Sequence, residues 1–80
     1  MKVSIHFNGT KKQLVEVADL AEAVAKFKAF RDGGNPAGEY FGASDQRSDC
    51  GDIWDDGKRI AHISYNGRLW QADRHTPLAA

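Results

Sequence analysis

Asp45, Asp49, Asp52, Asp55 and Asp56 crowd into one short stretch of the chain. Carboxylates this close in sequence offer two chemistries. As hard oxygen ligands they could hold calcium or magnesium. Counted from Asp45 as an EF-hand loop, however, Arg47 stands at the third ligand, Cys50 at the sharp turn that needs glycine, and Asp56 at the bidentate glutamate. The spacing is wrong for that loop, and a metal-free, solvated acidic segment is expected. The second chemistry is electrostatic: a negative patch meets a basic surface, as in proteins that occupy the nucleic-acid-binding groove of a partner.

Nucleophilic chemistry has less support. Cys50 is the single cysteine, and His6, His62 and His75 are the histidines that would have to activate it. No third orienting group or local signature accompanies them, so Cys50 reads as a bystander thiol and the chain reads as non-enzymatic. One cysteine allows neither an intramolecular disulfide nor a cysteine metal cage, and no His-x-His spacing occurs. No cofactor is expected either, because Gly33-Gly34 and Gly42 join no strand to a helix in a phosphate-loop pattern. The basic residues Lys11, Lys12, Lys58, Arg59 and Arg68, with Tyr40, Phe41, Trp54 and Trp70, give an alternative reading as a nucleic-acid-binding accessory or regulatory protein.

The scaffold that positions these residues must be small. The chain has 80 residues, with 11 basic and 11 acidic side chains and a formal net charge of zero. That length supports one domain with a modest core, and the charge balance lacks the footprint of a general phosphate binder. Met1 leads into the alternating Lys2-Val3-Ser4-Ile5-His6 rather than an apolar leader, and no membrane-length apolar run follows. With the lone cysteine, this points to a cytoplasmic protein without membrane association.

Val3, Ile5 and Phe7 alternate with Ser4 and His6 as a half-buried strand does, and Asn8-Gly9 turns the chain into Gln13-Leu14-Val15-Glu16-Val17. A two-residue loop would strand Val15 and Val17 on the wrong face, so a three-residue loop through Thr10, pairing Val3 with Val15, is expected. Asp19, followed by Glu22, is an acidic capping box that starts a helix ending near Asp32. Leu20, Ala23, Val24, Phe27 and Phe30 form its apolar stripe, within an arc of about 120°.

The segment 33–51 is rich in turn residues, with Glu39-Tyr40-Phe41 either a short edge strand or an anchor. Beyond it, Asp56-Gly57 and Asn66-Gly67 divide three strands of a meander. Two-residue turns at both sites put Trp54, Ala61, Ile63, Tyr65 and Trp70 on the core face. Ile53, Ile60, His62, Ser64, Leu69 and Gln71 then take a mixed face around Ile60 and Leu69, open to solvent, to the tail or to a second copy in a homodimer. The expected fold class is α+β, one domain over 1–73 with an antiparallel sheet in ββ-α-βββ order and one amphipathic helix on one face. Positions 74–80 have no periodicity and read as a flexible tail.

The runs Gly42-Ala43-Ser44-Asp45, Gly51-Asp52-Ile53 and Asp56-Gly57-Lys58-Arg59-Ile60-Ala61-His62-Ile63-Ser64-Tyr65-Asn66-Gly67-Arg68-Leu69-Trp70 resemble those of small uncharacterised proteins carried by bacterial plasmids and phages. Such proteins often resemble inhibitors of host defence, anti-CRISPR proteins among them. The resemblance implies a protein-binding module that occludes the surface of a defence complex, itself able to bind nucleic acid. Tyr40, Asp45, Asp49, Asp52, Trp54, Asp55 and Asp56 are the expected contact residues.

Overall fold

The computed structural model describes residues 1–8, 11–35 and 38–78, which form five strands and one α-helix. In chain order these are β1 (Lys2–Ile5), β2 (Gln13–Glu16), α1 (Leu20–Arg31), β3 (Asp52–Asp55), β4 (Lys58–Ile63) and β5 (Leu69–Gln71). All strand pairs are antiparallel, in the order β2-β1-β3-β4-β5. The fold is therefore the expected α+β domain in ββ-α-βββ order. Pairing of β1 with β3 fuses the hairpin and the meander into one sheet.

Val3 pairs with Val15, the register inferred from the apolar pattern; Gly9 and Thr10, on which the expected loop turns, lie outside the described residues. The helix begins where the acidic cap predicts. Asp19 accepts from the Glu22 amide at 2.8 Å, and the Glu22 carboxylate accepts from the Ala18 amide at 3.2 Å, one residue further back than a capping box requires. Ala23 and Phe27 are buried, while Leu20, Val24 and Phe30 pack beside them on the core, which is the stripe read from the sequence. Their partners are Val3, Ile5, Phe7, Ile53, Ala61, Ile63 and Leu69 on one face of the sheet.

Tyr40 and Phe41 resolve as an anchor. Phe41 stacks on Phe7 with ring centroids 4.1 Å apart, while Tyr40 points to solvent. From there the chain runs back along the end of β1, with Arg47 donating its amide to His6 and Gly51 donating to Ser4.

Two features overturn the expected face assignment of the meander. The Asp56-Gly57 turn is the expected tight one, with Asp55 opposite Lys58 and positive φ at both turn residues. A bulge between Ile53 and Trp54 then shifts the register, so that Ile53 faces Ala61 while Trp54 faces Arg59. The second turn is one residue longer than expected: Ser64 donates its amide to Arg68 across Tyr65, Asn66 and Gly67. Each odd insertion flips a strand. Ile53 and Leu69 consequently join Ala61 and Ile63 in the core, and Trp54 and Trp70 move to the opposite face, where His62 stands as expected. Ile60, beside the bulge, packs against the core as well.

The tail is also tied down further than expected. Asp73 accepts from the amides of His75 and Thr76, which reverses the chain. Thr76 and Leu69 then accept from Gln71 and Leu78, so the segment through Leu78 lies along β5 and covers that sheet edge. Backbone pairing thus reaches past position 73.

Gly51 is the backbone position that fixes where β3 enters the sheet. Its φ is +89°, and a Cβ there would collide with the Ile63 carbonyl. Gly51→Ala should therefore destabilise the protein by about 2 kcal/mol or more, through backbone strain together with overpacking. Urea unfolding monitored by tryptophan fluorescence reads this directly, and an unchanged midpoint would refute it.

Candidate interaction face

The helix covers one face of the sheet, and the chemistry-bearing residues lie on the other. Val3 pairs with Ile53 on the helix side, so the neighbouring Ser4 and Asp52 turn away from it. Both are nonetheless buried, at 0% and 2% exposure. A buried carboxylate carries a large desolvation cost unless cations and donors surround it. Asp52 has three such neighbours. His62, opposite it on β4, donates from Nδ1 to Oδ1 at 2.7 Å, since a carboxylate only accepts. Arg74 Nη2 donates to both oxygens, at 3.1 and 3.0 Å, and Arg59 Nη1 stands 3.7 Å away.

Each neighbour arrives for a local reason. The bulge turns Arg59 onto this face, strand pairing delivers His62, and the Asp73 turn swings Arg74 back over the sheet with φ of +65°. Three buried polar atoms on or beside this face have no hydrogen-bond partner among the described residues: Ser4 Oγ, Trp54 Nε1 and Arg74 Nε.

The Asp52–His62 pair has the form of an orienting carboxylate and a base, but an acyl-transfer site also needs a nucleophile bonded to the ring. Among the described residues no hydroxyl or thiol is hydrogen-bonded to His62. Ser4 belongs to β1, on the far side of β3 from His62. Cys50 is fully buried, and burial pushes its thiol up to about 11, so it is held as the inert thiol. No group of three or more His, Cys, Asp or Glu side chains with metal-ligand geometry occurs among the described residues.

Beside the clasp that His62, Arg74 and Arg59 form around Asp52, an open cleft of about 450 Å³ runs to the β2 edge, lined by Met1, Lys2, Lys12, Leu14, Glu16, Trp54, Asp56 and Gly57. Leu14 is 54% exposed, and among the described residues the other large apolar side chain left open is Tyr40 at 79%. Apolar groups and charges of both signs thus share the cleft lining.

The expected acidic patch is dispersed by the fold. Asp45 accepts from the Gly42 amide at the start of a 3-10 turn, Ala43–Asp45. Asp49 bonds Lys12 at 2.8 Å and His6 at 3.2 Å, and Asp52 sits in the clasp. Asp55 stands 3.8 Å from the N-terminal amine. Of the expected contact residues only Trp54 and Asp56 line the cleft; Tyr40 lies beside Asp32, past the end of α1. Sequence reading missed His62, Arg74, Ser4 and Leu14. No pattern signalled the first three, since a bulge and a chain reversal bring them together. Leu14, an apolar residue alternating out of phase with Val15, was the legible one. The basic set is divided too, with Lys12 paired to Asp49, Arg59 beside Asp52, and the Arg68 guanidinium over Trp70, 5.9 Å from the ring centroid.

No family model, curated protein or solved structure matches this chain, so the geometry itself carries the functional argument. Among the described residues no helix is long and apolar enough to cross a membrane.

The Lys12 hydrogen bond, followed by that from His6, holds the Asp49 carboxyl down at about 2. A carboxyl lowered in the folded state contributes stability that is present above its unfolded value, about 4, and lost as pH falls through about 2. Lys12→Met should raise the Asp49 value toward 4 in an NMR carboxyl titration and flatten the loss of stability across that window. An unmoved Asp49 titration would contradict this assignment.

Proposed function

We propose that this chain is a non-enzymatic protein-binding module that occludes a partner's surface, in the manner of a mobile-element inhibitor of a bacterial defence complex. The observation that carries the reading is the cleft, whose lining joins Trp54 and Leu14 to the charged Lys2, Lys12, Glu16 and Asp56. An aromatic anchor among charges of both signs suits a protein interface, where the aromatic supplies affinity and the charges select the partner. The indole adds a buried N–H with no acceptor among the described residues, a cost that a partner carbonyl would remove if the ring turned outward on binding.

The defence-complex part of the proposal rests on the resemblance of positions 42–70 to small plasmid and phage proteins, and an anti-CRISPR-like role follows from it by analogy. A nucleic-acid role is less favoured, because Lys12 and Arg59 are engaged by carboxylates of this chain.

The test is binding to purified CRISPR effector complexes, measured by biolayer interferometry. Trp54→Ala should weaken binding by about thirtyfold, as loss of an aromatic anchor does, while circular dichroism shows the fold retained. Asp56→Asn, which suits the positive φ of the exposed turn, should leave stability unchanged and alter the salt dependence of association. Binding indifferent to both changes would remove the cleft from the interface, and wild-type protein that binds none of the complexes would remove the inhibitor reading.

A further inference from the structure

The two edges of the sheet are treated differently. Beyond β5 the chain from Asp73 to Leu78 folds back and pairs with it, whereas β2 has no neighbour on its outer side among the described residues. The Val17 amide donates to Met1 at 2.9 Å, and with Val3 opposite Val15 this fixes which residues bond inward. In an antiparallel ladder the alternate residues point their N–H and C=O groups away. Those residues are Leu14 and Glu16, with Lys12 next in the same phase. An open row of this kind is a template for another strand.

We propose that this edge pairs with β2 of a second copy of the same chain, antiparallel about a two-fold axis at Leu14. The strand is self-complementary about that axis. Leu14 meets its own symmetry mate, Lys12 meets Glu16 of the other copy, and Glu16 meets Lys12. The three outward-bonding residues are thereby matched with one another, so backbone phase and side-chain charge select the same register. An axis at Val15 would instead set Leu14 against Glu16. Lys12, Leu14 and Glu16 line one cleft, which places their side chains on the same face of the sheet. Lys12 also holds Asp49 at 2.8 Å, so each end of the joint would become an Asp49–Lys12–Glu16 chain of alternating charge.

Such pairing is isologous and closed, makes one continuous sheet of the two copies, and buries the exposed Leu14 at its centre. It also sets the two clefts side by side across the axis. This inference does not depend on the partner proposed above, because it concerns the strand edge rather than Trp54.

Sedimentation equilibrium across a protein concentration series tests it. The wild type should self-associate to a dimer. Glu16→Lys sets a second lysine against Lys12 at both ends of the joint and should weaken the dimer about tenfold or more. Lys12→Glu should do likewise, and the Lys12→Glu/Glu16→Lys double variant should return to within about threefold of wild type, because the opposed pairs are restored in reversed order. Circular dichroism on each variant confirms that the fold is retained. A wild type that stays monomeric throughout the series, or single variants that dimerise as the wild type does, would overturn the proposal. Dimerisation without rescue in the double variant would overturn the Leu14 register.

Discussion

One buried carboxylate organises the half of this molecule that the helix does not cover. Asp52 lies at 2% exposure on a sheet face that has no second apolar layer, and a charge cannot stay there without compensation. The compensation comes from His62 in the same sheet, from Arg59 across the bulge, and from Arg74 in a segment 22 residues away. Arg74 has the longest reach in sequence and the largest consequence. By bridging both oxygens of Asp52 it holds the chain reversal at Asp73, and the reversal lays residues 76–78 along β5. The tail, the covered edge and the polar clasp form one arrangement.

The two faces of the sheet therefore follow different physics. The helix side is an ordinary core in which Phe7, Phe27, Ile53 and Ile63 are fully buried, and area removed from water stabilises it at about 25 cal/mol per Å². The other side is held by directional and charged contacts and keeps unpaired polar atoms beside them. Such a face specifies geometry more than it adds stability. That division leaves the cleft lined by Leu14 and Trp54, which reaches the β2 margin, available for contact with other molecules. The β5 margin is closed by the chain itself.

The legible parts of the sequence were those governed by short-range patterns. Alternation at Val3, Ile5 and Phe7, with Val15 and Val17 returning, was enough to select the hairpin register. Asp19 and the stripe from Leu20 to Phe30 located the helix and its buried side. The meander was legible as strands and turns but not as faces. A bulge at Ile53 and Trp54 and a longer loop at Tyr65, Asn66 and Gly67 each insert one residue, and neither leaves a local signature distinct from a tight turn. The candidate face suffered most from this. Asp52 and Trp54 were singled out as charged or aromatic residues, but Asp52 was taken for part of a solvated loop. Its partner Arg74 fell in the stretch with no periodicity, and only the three-dimensional reversal at Asp73 explains why an arginine is there.

The Asp52 charge, on this view, is what holds the tail against β5. Native-state hydrogen exchange on the Asp52→Asn variant addresses that most directly, because asparagine keeps the shape and removes the charge. The amides of Gln71 and Leu78, which bond to Thr76 and Leu69, should exchange at least about tenfold faster than in the wild type, in line with loss of a charge-assisted bond. The Val17 amide, at the far end of the sheet and bonded to Met1, should keep more of its protection. Equal protection of Gln71 and Leu78 in the two proteins would show that the tail is held by other means and would contradict a role for the Asp52 charge.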